Sequence, residues 1–272
     1  MKPDPVRLAI AGAGGRMGRM LLAQAALRPG VRVASAFEAP DHDAVGADAA
    51  SLAGMPGLAG VRVVDDAAQA ISAAEVLIEF TLPAPSLEHL RVAADVGRGV
   101  VLGTTGFTAA QQEEIDRLAE RIPLLQASNM SVGVTVLAEI VEEVARRLGA
   151  GFDIEVVETH HRHKRDAPSG TALTLARAAA IGRGANLESW AIHGRSGIVG
   201  ERPDEQIGIL ALRGGDVVGD HTVAFYGTGE RLELTHRAHS REAFASGALR
   251  AAEWLAGRAP GRYSIRDALH PA

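Results

Sequence analysis

The apolar run Val6 to Ala11 passes without a break into Gly12-Ala13-Gly14-Gly15-Arg16-Met17-Gly18, and the glycines pass into a helical run reaching about Leu27. No other feature restricts the fold as much. A short, continuous apolar strand has to be buried on both faces, as in a parallel sheet covered by helices. The spacing departs from G-x-G-x-x-G: Met17 takes the third glycine's place and Gly18 comes one residue later. Glycines here still let the backbone approach a pyrophosphate, whose charge the helix N-terminus receives. A second strand, Val31 to Phe37, ends at Glu38, about 20 residues past the loop, where a ribose-binding acid belongs. Dinucleotide binding is expected, against the alternative of an ordinary tight turn.

Residues 40–60 are rich in Ala, Gly and Asp and read as a surface excursion. Val61 to Val64 reads as a short strand, with Asp65 capping the helix that follows. Glu75 to Phe80 is a strand ending in Thr81-Leu82-Pro83, and Ser86 to Val96 is a helix. Val100 to Leu102 is a strand ending in Gly103-Thr104-Thr105-Gly106-Phe107. Thr108 and Gln111 form a capping-box pattern opening a helix to about Arg121. Pro123 to Ala127 is a further strand, ending in Ser128-Asn129-Met130. This alternation predicts a Rossmann-like, doubly wound parallel sheet with ligands at the strands' C-terminal ends.

Near residue 130 the rhythm changes. Val134 to Leu148 is a long amphipathic helix, Phe152 to Val157 a strand, and residues 171–180 a helix. Four strands follow: Trp190 to His193, Ile207 to Arg213, Val217 to Tyr226 and Arg231 to His236. Glycines at 214, 215, 227 and 229 punctuate them as antiparallel connections do. The pattern predicts a second α+β domain with a mixed or antiparallel sheet. Arg241 to Ala256 is a final amphipathic helix returning to the first domain. The expected division is residues 1–130 with 241–272 for the dinucleotide, and residues 131–240 for substrate.

Composition excludes several classes. No apolar run in the 272 residues approaches the roughly 18 needed to span a membrane. Pro3 and Pro5 interrupt the N-terminus and the apolar run there ends at Arg16, so no signal peptide is expected and a cytoplasmic location is the default. The absence of cysteine excludes disulfides and a cysteine nucleophile.

The most distinctive stretch runs from Glu158 to Leu173. Six consecutive side chains, His160 to Arg165, are basic or become so, in a chain of net charge −5. Pro168-Ser169-Gly170-Thr171 then delivers the chain into a helix start. Backbone N–H groups there favour an anion, and the Ser169 and Thr171 hydroxyls add hydrogen bonds. Cations beside an anion-receptive helix end describe a pocket for a small, multiply anionic molecule. Nucleic acid is not expected: three of the six residues are His, and aromatics for base stacking make up only 4% of the chain. His161 and His163, on one strand face at i, i+2, invite a zinc ion, but Arg162, Lys164 and Arg165 repel a dication. No metal is expected.

Gly12 to Gly18, Gly103-Thr104-Thr105-Gly106-Phe107, Glu158-Thr159-His160-His161-Arg162-His163-Lys164 and Asp166-Ala167-Pro168-Ser169-Gly170-Thr171 together resemble the dihydrodipicolinate reductase family, over essentially the whole chain. The resemblance implies nicotinamide-dependent reduction of a cyclic dicarboxylate, 4-hydroxy-tetrahydrodipicolinate, in diaminopimelate and lysine biosynthesis. It implies His160 as the acid/base residue and Lys164 as proton donor to the ring. It implies carboxylate binding by His161, Ser169, Gly170 and Thr171, with Thr105 nearby. Cofactor contacts are implied at Gly12, Ala13, Gly14, Gly15, Arg16, Met17, Glu38, Gly103, Thr104, Thr105, Ala127, Ser128, Asn129 and Met130. Hydride delivery to an electron-poor ring builds negative charge that a nearby cation stabilises and protonates. Crowding by Arg162 and Arg165 is expected to help Lys164 give up its proton. A homotetramer through the second domain's sheet, and closure over substrate, are also implied.

In the family, an Arg often follows the acid where the phosphorylated cofactor is used readily; here Ala39 stands there. NADH is therefore expected to be favoured, with Arg16 keeping NADPH usable. Two rivals are a non-catalytic dinucleotide-binding sensor of an anionic metabolite and a dehydrogenase of another small diacid. A sensor has no need of His160 and Lys164 beside a nicotinamide.

Overall fold

The computed structural model describes residues 4–270. Pro3 and the outer ends of the expected first domain, residues 1–3 and 271–272, lie outside the described residues. The chain divides into two compact units, Met1–Ser131 with Arg241–Ala272, and Val132–Ser240.

The first unit runs β1 (Val6–Ala11), α1 (Arg16–Ala26), β2 (Val31–Phe37), α2 (Ala49–Ala53), β3 (Val63–Val64), α3 (Ala67–Ser72), β4 (Val76–Glu79), α4 (Pro83–Asp95), β5 (Gly99–Leu102), α5 (Ala109–Ala119) and β6 (Pro123–Gln126). The second unit begins with α6 (Val132–Leu148), β7 (Asp153–His160), α7 (Gly170–Gly182), α8 (Leu187–Trp190) and β8 (Ala191–Ile192). It continues with β9 (Ile207–Arg213), β10 (Gly219–Gly227) and β11 (Glu230–Ala238). The chain then rejoins the first unit as α9 (Glu242–Leu255), β12 (Gly261–Tyr263) and α10 (Ile265–Leu269).

The first sheet has seven strands in the order β12-β6-β5-β4-β1-β2-β3, every named pair parallel. Its strand order reverses between β1 and β4, the switch point at which open α/β sheets bind ligands. Alternation along β1 explains its unbroken apolar sequence. Leu8 and Ile10 enter one core with Leu21, Leu22 and Leu249, whereas Ala9 and Ala11 enter the other with Ile71, Leu90 and Ile115. Each fully buried Leu or Ile is worth roughly 1.5–3 kcal/mol over leaving it exposed, so such a strand holds only between two helical layers.

The shifted glycine spacing also has a packing reason. Gly12 has a φ of 65°, and a Cβ on Gly18 would lie 2.0 Å from the Gly12 carbonyl oxygen. Gly18, in the first turn of α1, therefore supplies the close helix–strand approach usually given by the motif's third glycine.

Several local expectations are corrected. Residues 40–60 are not merely a surface excursion: α2 and a 3-10 turn at Pro56–Leu58 lie there, and Ala44, Ala49 and Leu58 are buried. Asp66, not Asp65, caps α3, accepting from Gln69 N, because the strand before it stops at Val64. Helix α4 starts at Pro83, whose missing N–H costs nothing in a first turn. The β12–α10 segment carries too few apolar residues to announce itself, yet extends the sheet beside β6.

The second sheet is mixed, in the order β11-β10-β7-β9-β8. β7 and β8 run parallel to β9, whereas β10 is antiparallel to β7 and β11. Helices α6 and α7 join it in one core containing Val141, Leu175, Val156, Ile209 and Phe225. β7 continues three residues beyond the expected Val157, and its burial alternates strictly. Glu158 and His160 therefore share the buried face with Ile154 and Val156. His161 and His163 lie past the strand end, so the shared strand face proposed for them does not exist; their rings sit 6.1 Å apart, tilted.

Candidate active site

In the first unit the expected cofactor residues gather at the C-terminal ends of β1, β2, β5 and β6. Gly12 to Gly15 link β1 to α1, Glu38 follows β2, Gly103 to Thr105 follow β5, and Ala127 to Met130 follow β6. The Gly14 N–H donates to Glu38 Oε1 at 2.8 Å, tying loop and acid together. Whereas Asp48, Asp66 and Thr108 cap α2, α3 and α5, no side chain caps α1. An uncapped first turn beside a loop open to close approach fits a pyrophosphate. A cleft of about 490 Å³ opens alongside, lined by Gly12, Glu38, Ala39, Thr81, Leu82 and His89. The residues present thus fit a nicotinamide dinucleotide.

Two histidines of this region escaped the sequence reading. His42 lies over Gly14, and its Nε2 is 3.9 Å from Glu38 Oε1, while its Nδ1 accepts from Ala44 N. His89, on α4, directs Nδ1 at Glu79 Oε2 at 2.6 Å. Glu79 is fully buried and also accepts from Thr81 and Ser86, and Ser86 Oγ meets Thr104 Oγ1 at 2.8 Å. This network sets Thr104, an expected cofactor residue, against the end of β4.

In the second unit one carboxylate organises the basic stretch. Glu158, fully buried, lies 2.6 Å from His160 Nδ1 through Oε2. It accepts from both guanidinium nitrogens of Arg213 at 2.8 and 2.9 Å, and from the Ser169 N–H at 3.0 Å. Burial alone would raise the Glu158 carboxyl, but hydrogen bonds from Arg213 and His160 outweigh it and hold the group below the usual carboxylate range. An ionised carboxylate only accepts, so Nδ1 of His160 carries the proton and Nε2 is left for exchange. Gly219 faces that atom: a Cβ there would lie 3.0 Å from it. Glu158 precedes His160 by two on an alternating strand, a signal present in the sequence. Arg213 lies 55 residues on and is brought in by the β7–β9 register, which pairs it with His160.

Lys164 meets a carboxylate from its own turn of chain. Its Nζ donates to both Asp166 oxygens at 2.9 Å, and this cation holds the Asp166 carboxyl below its ordinary range. The cause is local: Asp166 follows two residues later, and its carboxylate turns to the ammonium. Ser169 caps α7, its Oγ accepting from Ala172 N at 3.1 Å, so this oxygen already serves the helix. The same Oγ lies 3.0 Å from Nε2 of His221, a buried side chain on β10 that no local pattern marks. His161, Gly170 and Thr171 flank this cluster in sequence, while Thr105 lies exposed in the first unit. Among the described residues, no group of three or more His, Cys, Asp or Glu is placed to hold a metal ion.

Residues 6–130 match the family described as dihydrodipicolinate reductase, N-terminus, and residues 133–269 its C-terminus. The chain belongs to the dihydrodipicolinate reductase family. It is 49% identical to a 4-hydroxy-tetrahydrodipicolinate reductase of Aromatoleum aromaticum, over 97% of this chain and 95% of that protein. Identity to the enzyme of that name from Thiobacillus denitrificans is 50%, over 97% and 98%. Among solved structures, a dipicolinate-bound dihydrodipicolinate reductase from Paenisporosarcina sp. TG-14 superposes with a TM-score of 0.74 at 25% identity, over 96% of this chain and 97% of that one. This reductase is accordingly a nicotinamide-dependent oxidoreductase of two domains, Rossmann-like and mixed α+β.

Proposed function

We propose that the chain reduces 4-hydroxy-tetrahydrodipicolinate to tetrahydrodipicolinate in the diaminopimelate and lysine pathway. The carrying observation is the buried Glu158 carboxylate, which joins an acid/base histidine to the N-cap of an anion-receptive helix. A reduced nicotinamide supplies a hydride when bound. His160, held by Glu158 in the Nδ1–H form, takes a proton from the ring carbon at Nε2 and returns it to the neighbouring ring hydroxyl, which leaves as water while the ring double bond forms. Lys164 supplies the proton that balances the hydride, and its charge stabilises the electron-rich ring. A substrate carboxylate competes with Asp166 for Lys164, since Asp166 is 63% exposed and its hold is screened by water. His161 and the Ser169–Thr171 turn bind the carboxylates.

Gly12 to Met17, Glu38, Gly103 to Thr105 and Ala127 to Met130 hold the cofactor in this reading, with NADH preferred and NADPH usable. Residues 131–240 form the substrate-binding and tetramer-forming part. Exposed Leu210, Leu212 and Tyr226 on the second sheet support assembly there. Among the described residues no helix is long and apolar enough to cross a membrane, in keeping with a cytoplasmic enzyme.

The test is oxidation of NADH when fresh product of the preceding condensation enzyme is supplied. Pyridine-2,6-dicarboxylate should inhibit competitively and bind against Lys164, His161 and the Ser169–Thr171 turn. A complex with that ligand elsewhere would overturn the reading.

A further inference from the structure

His221 is 3% exposed and sits on β10 beside the start of α7, with its ring edge-on to His160 at a centroid distance of 5.1 Å. Its Nε2 lies 3.0 Å from Ser169 Oγ, while its Nδ1 is buried with no hydrogen-bond partner among the described residues. The Ser169 hydroxyl has one proton and two lone pairs. One lone pair accepts the Ala172 N–H, so the contact with His221 decides where the hydroxyl proton goes.

Two neutral forms of His221 differ in consequence. If Nδ1 carries the proton, the Ser169 hydroxyl donates to Nε2, and a buried N–H is left without an acceptor. Ser169 then turns a lone pair towards any anion at the helix start, which repels it. If Nε2 carries the proton, it donates to Ser169 Oγ, which now accepts twice and must send its own proton outward. The unpartnered atom is then a bare lone pair, less costly than an orphaned N–H. A carboxylate at the helix start completes this second arrangement and is opposed by the first. Burial, reinforced by His160, lowers His221 to about 4, so the doubly protonated form does not compete near neutral pH.

We propose that His221 is a positioning residue for substrate. In the dicarboxylate complex it is the Nε2–H tautomer, and by donating to Ser169 Oγ it commits the Ser169 hydroxyl to donate to a substrate carboxylate. This inference rests on the reading of the α7 start as a carboxylate site.

Neutron diffraction from deuterium-exchanged crystals of the wild-type enzyme with pyridine-2,6-dicarboxylate tests it directly. The expected result is a deuteron on His221 Nε2, and a Ser169 hydroxyl deuteron directed at a ligand carboxylate. A deuteron on Nδ1 in that complex overturns the inference. Inhibition constants give a second readout. His221→Leu should weaken pyridine-2,6-dicarboxylate roughly ten- to a hundredfold, the worth of one hydrogen bond to a charged group. His221→Gln, whose amide N–H can also donate to Ser169, should recover most of that loss, with KM for NADH unchanged in both. Equal losses in the Leu and Gln variants count against the proposal. Ser169→Ala separates it from the reading beneath: an unchanged inhibition constant there overturns the carboxylate site itself, and the inference with it. A large loss in Ser169→Ala together with an Nδ1 deuteron overturns the inference alone.

Discussion

Glu158 Oε2 stands 2.6 Å from His160 Nδ1 at the buried end of β7, and Arg213 clamps the same carboxylate from the neighbouring strand. The contact selects one tautomer of His160 and fixes its ring. Glu158→Gln should lower kcat, by no more than the roughly 10²–10⁴-fold that a positioned acid/base group supplies. It should also lower stability by about 3 kcal/mol, because Arg213 loses its buried counter-charge. Steady-state kinetics and urea unfolding of the same variant separate the two effects. Reduced stability with an unaltered kcat would leave Glu158 a purely structural residue.

Lys164 and His161 should divide chemistry from binding. Lys164→Ala is expected to reduce kcat by roughly 10²–10⁴-fold, the range for a lost proton donor. His161→Ala should chiefly raise KM for substrate, the mark of an interaction made equally in ground and transition states. Mild, equal KM effects from both would reduce Lys164 to one cation among several.

Cofactor preference should turn on residues 38 and 39. A 2′-phosphate beside Glu38 meets like charge, and Ala39 offers no cation. His42 does not replace one, since its Nδ1 accepts from Ala44 and only Nε2–H faces Glu38. Wild type should therefore use NADH at least as well as NADPH. Ala39→Arg should move kcat/KM towards NADPH by about 1.5–3 kcal/mol if the charge-assisted contact forms well. The comparison is kcat/KM for both cofactors, in both proteins, at low and moderate salt. A wild type favouring NADPH tenfold would refute this and point to Arg16.

Stability should fall on mild acidification. His221 is lowered from 6.5 to about 4, with burial the largest cause. The unfolded chain therefore takes up a proton at His221 that the folded chain refuses. The group's contribution is complete above about pH 6.5 and is lost as pH falls towards 4, amounting to about 3 kcal/mol. Glu158, lowered in the folded state, adds its own loss below its ordinary 4.5. Urea unfolding at pH 7.5 and 5.5 should show the decline in wild type, and His221→Gln should flatten it. Matching slopes in the two proteins would assign the acid sensitivity elsewhere.

Much of the fold was legible because it is written in neighbouring residues. Strands buried on both faces carry unbroken apolar runs, the Thr108–Gln111 box caps α5 as its pattern predicts, and Gly12 to Gly18 announce the strand–loop–helix. Short or weakly apolar pieces were less legible. The buried turn near Leu58 and the β12–α10 segment owe their places to surrounding packing rather than to periodicity.

The candidate site divides in the same way. The sequence by itself determined the glycine loop, the acid at Glu38, the basic block from His160 and the helix start at Ser169, because each is a local arrangement of charge, hydrogen-bonding groups and backbone freedom. Only the tertiary structure decided that Arg213 and His221 complete that block, that His160 ends a strand while His161 leaves it, and that the Asp166 carboxylate meets Lys164. Hydrogen bonds act over about 3 Å and in fixed directions. Strand register sets which residues come within that reach: β9 and β10 bring Arg213 and His221 to Glu158 and Ser169 across more than fifty residues of chain.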